Sequence, residues 1–362
     1  MKHFTPFILK KVSLIFSLLL LAGISYGAVF TATASGNFSS SATWVGGIVP
    51  PTTLTTDVII IPLGITVNLD EDLTISGPAA QLNVNGSLMT NDSSSLVMVQ
   101  GTLNGTGTIA LNTIDLKAGT TFSFAGTILV KELNVDATLI SNADMTVDKT
   151  LGLQSGDLAL TSGGSVSLSP DATIVISGGT MTVGVGGSAD LSTDYSVVYD
   201  GASFTAGIEL TGSGLKDLEM SLDPGSTLTL SSDVTLDGKL ALNGGTLSLA
   251  NNDLVINGDI SSSTSGKIFS TSLSDITLNA LSSTTGSLTF EAYSELKDLI
   301  INLPPDYAAK IEGFLTLHGN LILDSGILQM DNADVEIRGD ISGSGIVIGH
   351  HITTGDIMVK LD

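Results

Sequence analysis

Apolar and polar residues alternate along most of the chain, in short stretches that end at Gly, Asn, Asp or Ser. Typical stretches are residues 66–69 (Thr-Val-Asn-Leu) and residues 239–242 (Lys-Leu-Ala-Leu). A period of two predicts strands with one buried face and one exposed face. Pairs such as Asn85-Gly86 and Asp237-Gly238 tolerate positive φ and predict tight corners between the strands. No stretch beyond residue 28 combines a helical apolar period with a cap. The sequence therefore predicts an all-β protein.

One segment of the chain occurs twice. Residues 215–261 align with residues 296–342 without a gap, and 20 of the 47 positions are identical. A long fixed period is typical of stacked repeat architectures. The outward positions differ between the copies, as Glu219 and Ile300 do. Six shared glycines are the predicted corners of the repeat: Gly238, Gly245, Gly258, Gly319, Gly326 and Gly339.

Two architectures fit this pattern, a β-solenoid and an array of β-sandwich domains. Asn-Gly between short strands is also the strongest signal for a hairpin, so the local pattern alone leaves both open. The strands are very short, and the chain lacks the cysteines and the tyrosine corner of immunoglobulin-type domains. We therefore predict a right-handed parallel β-helix. Coils of about 20 to 27 residues would place three or four of them in each repeat unit.

Residues 1–27 have the features of a secretory signal peptide. Lys2, Lys10 and Lys11 precede an apolar run over residues 12–21, and small residues follow at the cleavage positions. Cleavage after Gly27 would leave Ala28 as the mature N-terminus. The run is shorter than the roughly 20 residues that span a bilayer, so we expect no membrane insertion of the mature chain.

Composition indicates an acidic, disulfide-free protein. Without the signal peptide, the chain has 36 acidic residues, 10 basic residues and no cysteine. Such a surface repels nucleic acid and anionic lipid, which excludes both as partners. It would bind divalent cations weakly and without specificity, because no calcium-binding loop motif is present. A chain of this length can be held together by burial and backbone pairing alone.

The start of the mature chain differs from the rest. It contains Trp44, the only tryptophan, followed by Gly46, Gly47 and Pro50. A large aromatic ring suits a cap that closes the open end of a stack of aliphatic side chains, so we predict these four residues to form a structural cap. The block resembles the opening of the eight-glycine domain and of bacterial surface proteins that begin G-N-W … T-W-x-G-G-x-x-P. Phe38 stands where a second tryptophan is common.

A second resemblance covers most of the remainder. Residues 196–203 and 214–220 resemble the V-x-Y-x-G … Y-x-N-L-x-I phrase of secreted bacterial beta-strand-repeat proteins. Residues 238–247 and 254–258 match the phrases that follow it in that family, G-x-L-x-L-x-x-G-x-L and L-x-I-x-G. The resemblance implies an adhesin-like protein that is exported to the cell surface or released. The second repeat unit stops before completion, at Asp362, so we expect the chain to be a fragment of a longer protein.

These boundaries divide the chain into five parts. A signal peptide (1–27) precedes the cap and first coils (28–110), which carry the resemblance to the eight-glycine domain. Degenerate strand repeats (111–214), a repeat unit (215–295) and an incomplete second unit (296–362) follow.

Candidate catalytic chemistry is sparse. β-Helix lyases use Lys or Arg beside a base, and glycosidases use two or three carboxylates in one groove. The chain has a single arginine, and neighbouring members of its densest acidic cluster, residues 70–72 (Asp-Glu-Asp), point to opposite faces. The three histidines of the mature chain, His318, His350 and His351, occupy a corner and the end of the chain. We expect no catalytic residue, no cofactor and no metal site.

The tripeptide Arg338-Gly339-Asp340 is the sequence that integrins bind. The same corner one repeat earlier has Asn257-Gly258-Asp259. The turn therefore explains Gly and Asp, and we interpret Arg338 as a chance substitution.

The sequence thus predicts a secreted or cell-surface scaffold with a structural or adhesive role, presenting an extended polar surface to glycans, matrix or other proteins. The alternative is a carbohydrate-active β-helix enzyme, lyase-like or a glycosidase, which a groove with three or more carboxylates or aromatics would favour. A face that binds ice or a crystalline polymer would need strict Thr-x-Thr rows. The sequence has only scattered cases, such as residues 227–229 (Thr-Leu-Thr).

Overall fold

The computed structural model describes residues 27–90, 95–263, 265–279, 286–354 and 357–359. Within these ranges the protein contains 40 strands, three short 3-10 helices and no α-helix, which confirms the all-β prediction. Apart from Gly27, the predicted signal peptide lies outside the described residues.

The strands are mostly three to five residues long, with a few longer ones that turn a corner without interruption. The first twenty are β1 Val29–Thr31, β2 Gly36–Asn37, β3 Thr53–Leu54, β4 Val58–Ile61, β5 Thr66–Asn68, β6 Leu73–Ile75, β7 Gln81–Val84, β8 Ser87–Met89, β9 Leu96–Val99, β10 Thr102–Gly105, β11 Thr108–Leu116, β12 Thr121–Phe124, β13 Thr127–Val135, β14 Leu139–Ser141, β15 Asp144–Leu153, β16 Leu158–Leu160, β17 Ser165–Leu168, β18 Ala172–Ile176, β19 Met181–Val183 and β20 Ser188–Asp190. The others are β21 Tyr195–Gly201, β22 Phe204–Thr205, β23 Leu215–Leu222, β24 Thr227–Thr229, β25 Val234–Leu236, β26 Leu240–Gly244, β27 Thr246–Ser248, β28 Leu254–Ile256, β29 Ile260–Ser262, β30 Lys267–Phe269, β31 Ile276–Asn279, β32 Ser287–Thr289, β33 Ser294–Leu296, β34 Leu299–Asn302, β35 Ala308–Leu317, β36 Leu321–Ser325, β37 Ile327–Ile337, β38 Ile341–Gly343, β39 Ile346–Thr354 and β40 Ile357–Val359. The 3-10 helices are η1 Ser41–Thr43, η2 Val45–Gly47 and η3 Ile208–Leu210.

Apart from β40, the strands pair in parallel with strands of neighbouring coils, and the coils stack in about 14 turns. The protein is therefore a β-solenoid, as predicted, and not an array of sandwiches. Coils differ in length along the stack, since Thr127 pairs with Asp144 whereas Leu73 pairs with the more distant Val97. Strands in a sheet lie roughly 4.8 Å apart, so the stack is about 65 Å long. Only β39 and β40 pair as antiparallel strands within the described ranges.

The core is a single column of apolar side chains inside the coils. In most strands buried and outward residues alternate, as in Val58–Ile61, where Ile59 and Ile61 are fully buried. One continuous cluster of buried side chains extends from Ala32 to Ile337. Since each strand stacks in register on the next, Leu, Ile and Val lie on one another from coil to coil, and this burial is the main favourable term in folding.

One coil has three sides, because three successive strands each pair with the strand three places later in the chain. We call them side 1, side 2 and side 3, represented by β25, β26 and β27, which pair with β28, β29 and β30. Side 1 continues through β31, β34, β36 and β38. Side 2 is reached from the earlier coils through β18, β21 and β23.

The two copies of the sequence repeat lie on different sides of this triangle. Leu218 lies on side 2, where it pairs with Leu240, whereas its equivalent Leu299 lies on side 1, where it pairs with Ile276. From Leu218 to Val234 the chain passes two corners, and from Val234 to Leu299 it makes three full coils. One repeat is therefore three and two-thirds coils, between the three and four coils expected, and the fraction explains why equivalent residues lie on different sides.

The repeat conserves local corner geometry although the side changes. A Cβ added to Gly238 would overlap the Asp217 carboxylate of the preceding coil, and one added to Gly319 would overlap the equivalent Asp298. Gly258 and Gly339 stack directly on the carbonyl oxygens of Gly238 and Gly319, so a side chain has no room there. The remaining two predicted corners, Gly245 and Gly326, have φ of 72° and 88°, which favours glycine for a different reason.

Two ladders of polar side chains run along the edges of side 1 and join successive coils. At one edge a side-chain oxygen accepts a hydrogen bond of 2.5 to 3.0 Å from the backbone N–H one coil later, along Asp233, Asp253, Asp275, Asp298 and Asn320. At the other edge side chains bond one another along Asp237, Asn257, Asn279, Asn302 and Ser325. These contacts explain why Asp and Asn recur at the corners.

Candidate functional site

The four predicted cap residues lie between β2 and β3, within the first coil of the stack. Trp44 is 2% exposed, and its indole Nε1 donates to the carbonyl oxygen of Phe38 at 2.7 Å. The two rings pack edge to face with centroids 5.4 Å apart, so Phe38 is the ring partner of Trp44. Gly46 and Gly47 turn the chain with φ of 68° and 70°. Pro50 is buried at the end of this turn.

The acidic cluster at residues 70–72 does not converge on one point. Asp70 accepts hydrogen bonds from the backbone N–H and hydroxyl of Ser39 in the preceding coil, whereas Asp72 accepts one from the N–H of Leu96 in the next coil. Burial acts to raise the pKa of Asp70, but hydrogen bonds from Ser39, from its own backbone N–H and from Asn37 together outweigh it, so the net pKa is lowered. The cluster joins coils and forms no acid–base pair.

The basic and imidazole side chains lie on the outer surface. His318 Nε2 lies 3.3 Å from Glu295, and Arg338 Nε lies 3.0 Å from Glu336. The side chains of His350 and His351 lie outside the described part of the structure. In the part that is described, no group of three or more His, Asp or Glu side chains is placed to hold a metal ion.

The rows expected of an ice-binding face do not extend along the stack. Thr227 stacks on Thr246, but the next residue in that row is Lys267. The neighbouring row runs from Thr229 through Ser248 to Phe269.

The sheet of side 1 has a gap where η3 lies in place of a strand. β20 precedes β21 in its coil as β25 precedes β26, so β20 and β25 both belong to side 1. In the described chain β20 pairs only with β17, and β25 pairs only with β28. The residues between them, η3 and the turn at 211–213, belong to no sheet.

A buried carboxylate holds η3 in the gap. Glu209 is 2% exposed, and its Oε1 accepts hydrogen bonds from the hydroxyl of Tyr199 and, at 2.6 Å, from the N–H of Gly207. The hydroxyl of Tyr195 donates to the backbone carbonyl of Glu209 at 2.8 Å. Both tyrosines lie in β21 with their rings in the core, so this strand anchors the 3-10 helix.

Burial raises the pKa of both tyrosines well above the ordinary value, and the nearby charge of Glu209 raises them further. The two phenols therefore stay neutral and act as donors over the whole physiological range. Because the acceptor atom of Glu209 is enclosed by Tyr199 and Gly207, we assign the cluster a structural role rather than proton transfer with a solvent-borne substrate.

Two open grooves flank the turn at residues 211–213, one on each side. The first has a volume of about 410 Å³ and lies between β20 and η3, with Val183, Ala189, Asp190 and Ile208 in its wall. The second has a volume of about 420 Å³. It lies between η3 and β25, and its wall includes Asp233, Thr235 and Asp237.

Three carboxylates border the two grooves. Hydrogen bonds from the hydroxyl and N–H of Ser192 lower the pKa of Asp190, so it is charged at neutral pH. Asp233 and Asp237 stand at the two ends of β25, four residues apart, which corresponds to about 13 Å along a strand. Glycosidase carboxylate pairs lie about 5 to 9.5 Å apart, so this spacing does not match that chemistry.

Sequence reasoning missed this gap. The evidence for it in the sequence was the segment at residues 206–214, which breaks the alternation of apolar and polar positions and places Glu209 between Ile208 and Leu210. Tyr199 was noted only as part of a family phrase and Tyr195 was not singled out, because nothing in a strand pattern indicates which later residue a tyrosine hydroxyl will contact.

No helix in the described residues is long and apolar enough to cross a membrane. Comparison with protein families, curated proteins and solved structures finds no match to this chain.

Proposed function

We propose that the protein is a secreted or cell-surface scaffold, a stiff stalk that presents its outer polar surface to glycans, matrix or neighbouring proteins. The observation that carries the proposal is the stack of about 14 turns around one continuous apolar core. Successive coils are joined by backbone pairing of their strands, and from Asp233 onward polar ladders add bonds along the edges of side 1. Such a body keeps its ends about 65 Å apart without a hinge, which is the property a stalk requires.

The outward side chains of the strands support a role in presenting a polar surface to partners. Many outward residues of the strands are Ser, Thr or Asn, as in Thr66–Asn68 and Ser165–Leu168, where they are half-buried. The two copies of the repeat turn equivalent outward positions to different sides, so the surface has no single conserved row. This arrangement favours distributed contacts over one catalytic centre. The resemblance to secreted beta-strand-repeat proteins points the same way.

Binding of residues 28–362 to a glycan array and to immobilised matrix proteins tests the proposal. We expect saturable binding to at least one class without turnover of the ligand. An unrelated acidic protein of similar net charge serves as the control for charge alone. Cleavage of any arrayed glycan, or no binding beyond that control, would overturn the proposed role.

A further inference from the structure

The gap on side 1 leaves two strand edges without a neighbour, and the edge of β25 is the better defined. The N–H of Val234 donates to Asp253, and the carbonyl of Leu236 accepts from Asn257, so both residues bond toward β28. In a parallel ladder alternate residues bond to opposite neighbours. The N–H and C=O of Thr235 therefore point the other way, into the groove beside η3.

The outward side chains along this edge carry negative charge at both ends. Asp233, Thr235 and Asp237 are exposed and alternate with the buried Val234 and Leu236. Oδ1 of Asp233 accepts a hydrogen bond from the N–H of Asp253, and Oδ1 of Asp237 accepts one from the side-chain amide of Asn257. Both donors lie in the following coil. The charge itself remains uncompensated, because no salt bridge to either residue occurs in the described structure.

The first groove has the same character. Ser188 donates its N–H to Gly164 in the coil before, so Ala189, the next residue of β20, directs its N–H and C=O toward the groove. Asp190 supplies a negative charge to this groove. Lys216, the next lysine along the chain, does not neutralise it, because Lys216 is paired with Asp171 at 3.0 Å.

We propose that an extended peptide segment bearing lysine or arginine adds as a strand to the free edge of β25, in the groove between β25 and η3. The backbone of Thr235 supplies a donor and an acceptor, the pattern by which peptides join an exposed sheet edge. Cationic side chains two residues to either side of the peptide's central residue would lie beside Asp233 and Asp237. This inference rests on the proposed role in presenting a surface to partners.

Other occupants fit less well. A second copy of this chain carries the same strong negative charge, which opposes approach of two such surfaces. A neutral oligosaccharide would gain nothing from the charge pair, and no exposed aromatic ring lies in the wall of this groove for a sugar to stack on.

The probe for the test is the peptide acetyl-Lys-Val-Thr-Val-Lys-amide carrying a fluorescent label, titrated with residues 28–362 and followed by anisotropy. We expect saturable binding that weakens with salt. The double variant Asp233→Asn with Asp237→Asn should weaken it about five-fold or more, since two partly enclosed ion pairs are lost. Asp306→Asn with Asp324→Asn makes the same change in net charge at exposed positions elsewhere and should leave binding unchanged.

Backbone pairing is tested separately on the peptide. Two N-methylated peptides are compared, one methylated at its odd-numbered residues and one at its even-numbered residues. Since alternate residues of a strand direct their N–H groups to opposite edges, each peptide loses the donors of one edge only. We expect one peptide to lose binding and the other to retain it, as strand addition requires. Equal effects of the two methylation patterns, or equal effects of the two double variants, would overturn the inference.

The outcome is distinguishable from failure of the proposed function. If the peptide does not bind but the glycan array or matrix is still bound, the groove inference fails and the scaffold role stands. If the double variant at β25 loses binding to an arrayed oligosaccharide and the peptide is inactive, the groove is a glycan site and the inference is also wrong.

Discussion

Tyr199 donates its hydroxyl to the carboxylate of Glu209, ten residues further along the chain, and so fixes the 3-10 helix that replaces a strand on side 1. The bond joins a core strand to the segment that interrupts the sheet of side 1. Because both partners are buried, it lies in surroundings where an unsatisfied polar group is expensive. The gap and its two grooves therefore depend on this contact.

Replacing Tyr199 by Phe should destabilise the protein by about 2 kcal/mol, because a buried carboxylate loses a charge-assisted hydrogen bond. Urea unfolding followed by circular dichroism measures the change. Tyr293→Phe is the matched control, since that side chain is 86% exposed and should change stability little. Equal midpoints for the two variants would contradict the structural role of the pair.

Stability should fall as the pH rises above about 10, the ordinary value for tyrosine. The folded-state pKa of Tyr195 and Tyr199 is raised, so their contribution is complete below the unfolded pKa and is lost as the pH increases beyond it. Each tyrosine should contribute a slope of about 1.4 kcal/mol per pH unit in that range. In the double variant Tyr195→Phe with Tyr199→Phe the alkaline slope should be shallower. Tyr293→Phe should retain the original slope, and an unchanged slope in the double variant would refute the assignment.

Trp44→Phe should cost about 1 to 3 kcal/mol, since the buried carbonyl of Phe38 loses its donor. Val45→Ala changes the adjacent residue, which is 55% exposed, and should have a much smaller effect. Thermal melts followed by circular dichroism compare the two. If the two variants melted together, the cap would not depend on the indole hydrogen bond.

Deleting one complete coil should be tolerated better than deleting half of one. Removal of residues 240–259 places Ile260 on Leu218 and Ile276 on Val234, so all three sides remain in register. Removal of residues 240–249 brings a strand of side 1 to the position of side 2, and outward and core residues no longer match the coil below. We expect a cooperative melt for the first deletion and its loss for the second, because coils contact only their neighbours. Two indistinguishable melts would show that register with the adjacent coils does not control folding.

The sequence by itself determined the local features of the protein. Alternation in stretches such as residues 239–242 predicted half-buried strands, and short strands with frequent Gly and Asn corners favoured a solenoid over sandwiches. Gly245 and Gly326 were identified as corners, and their positive φ is a property of single residues and their neighbours. Burial pattern and turn conformation depend on a few consecutive residues, so both can be predicted from the sequence.

Only the tertiary structure decided which residues meet across coils. Leu218 and Leu299 share a sequence context but lie on different sides of the solenoid. The side on which a residue lies depends on the number of residues in all preceding coils and corners, and the coils differ in length. The lengths of the preceding coils also decide that Glu209 contacts Tyr199 and that one edge of β25 has no neighbouring strand. Stacking is a contact between residues about twenty positions apart, and no local pattern encodes that distance.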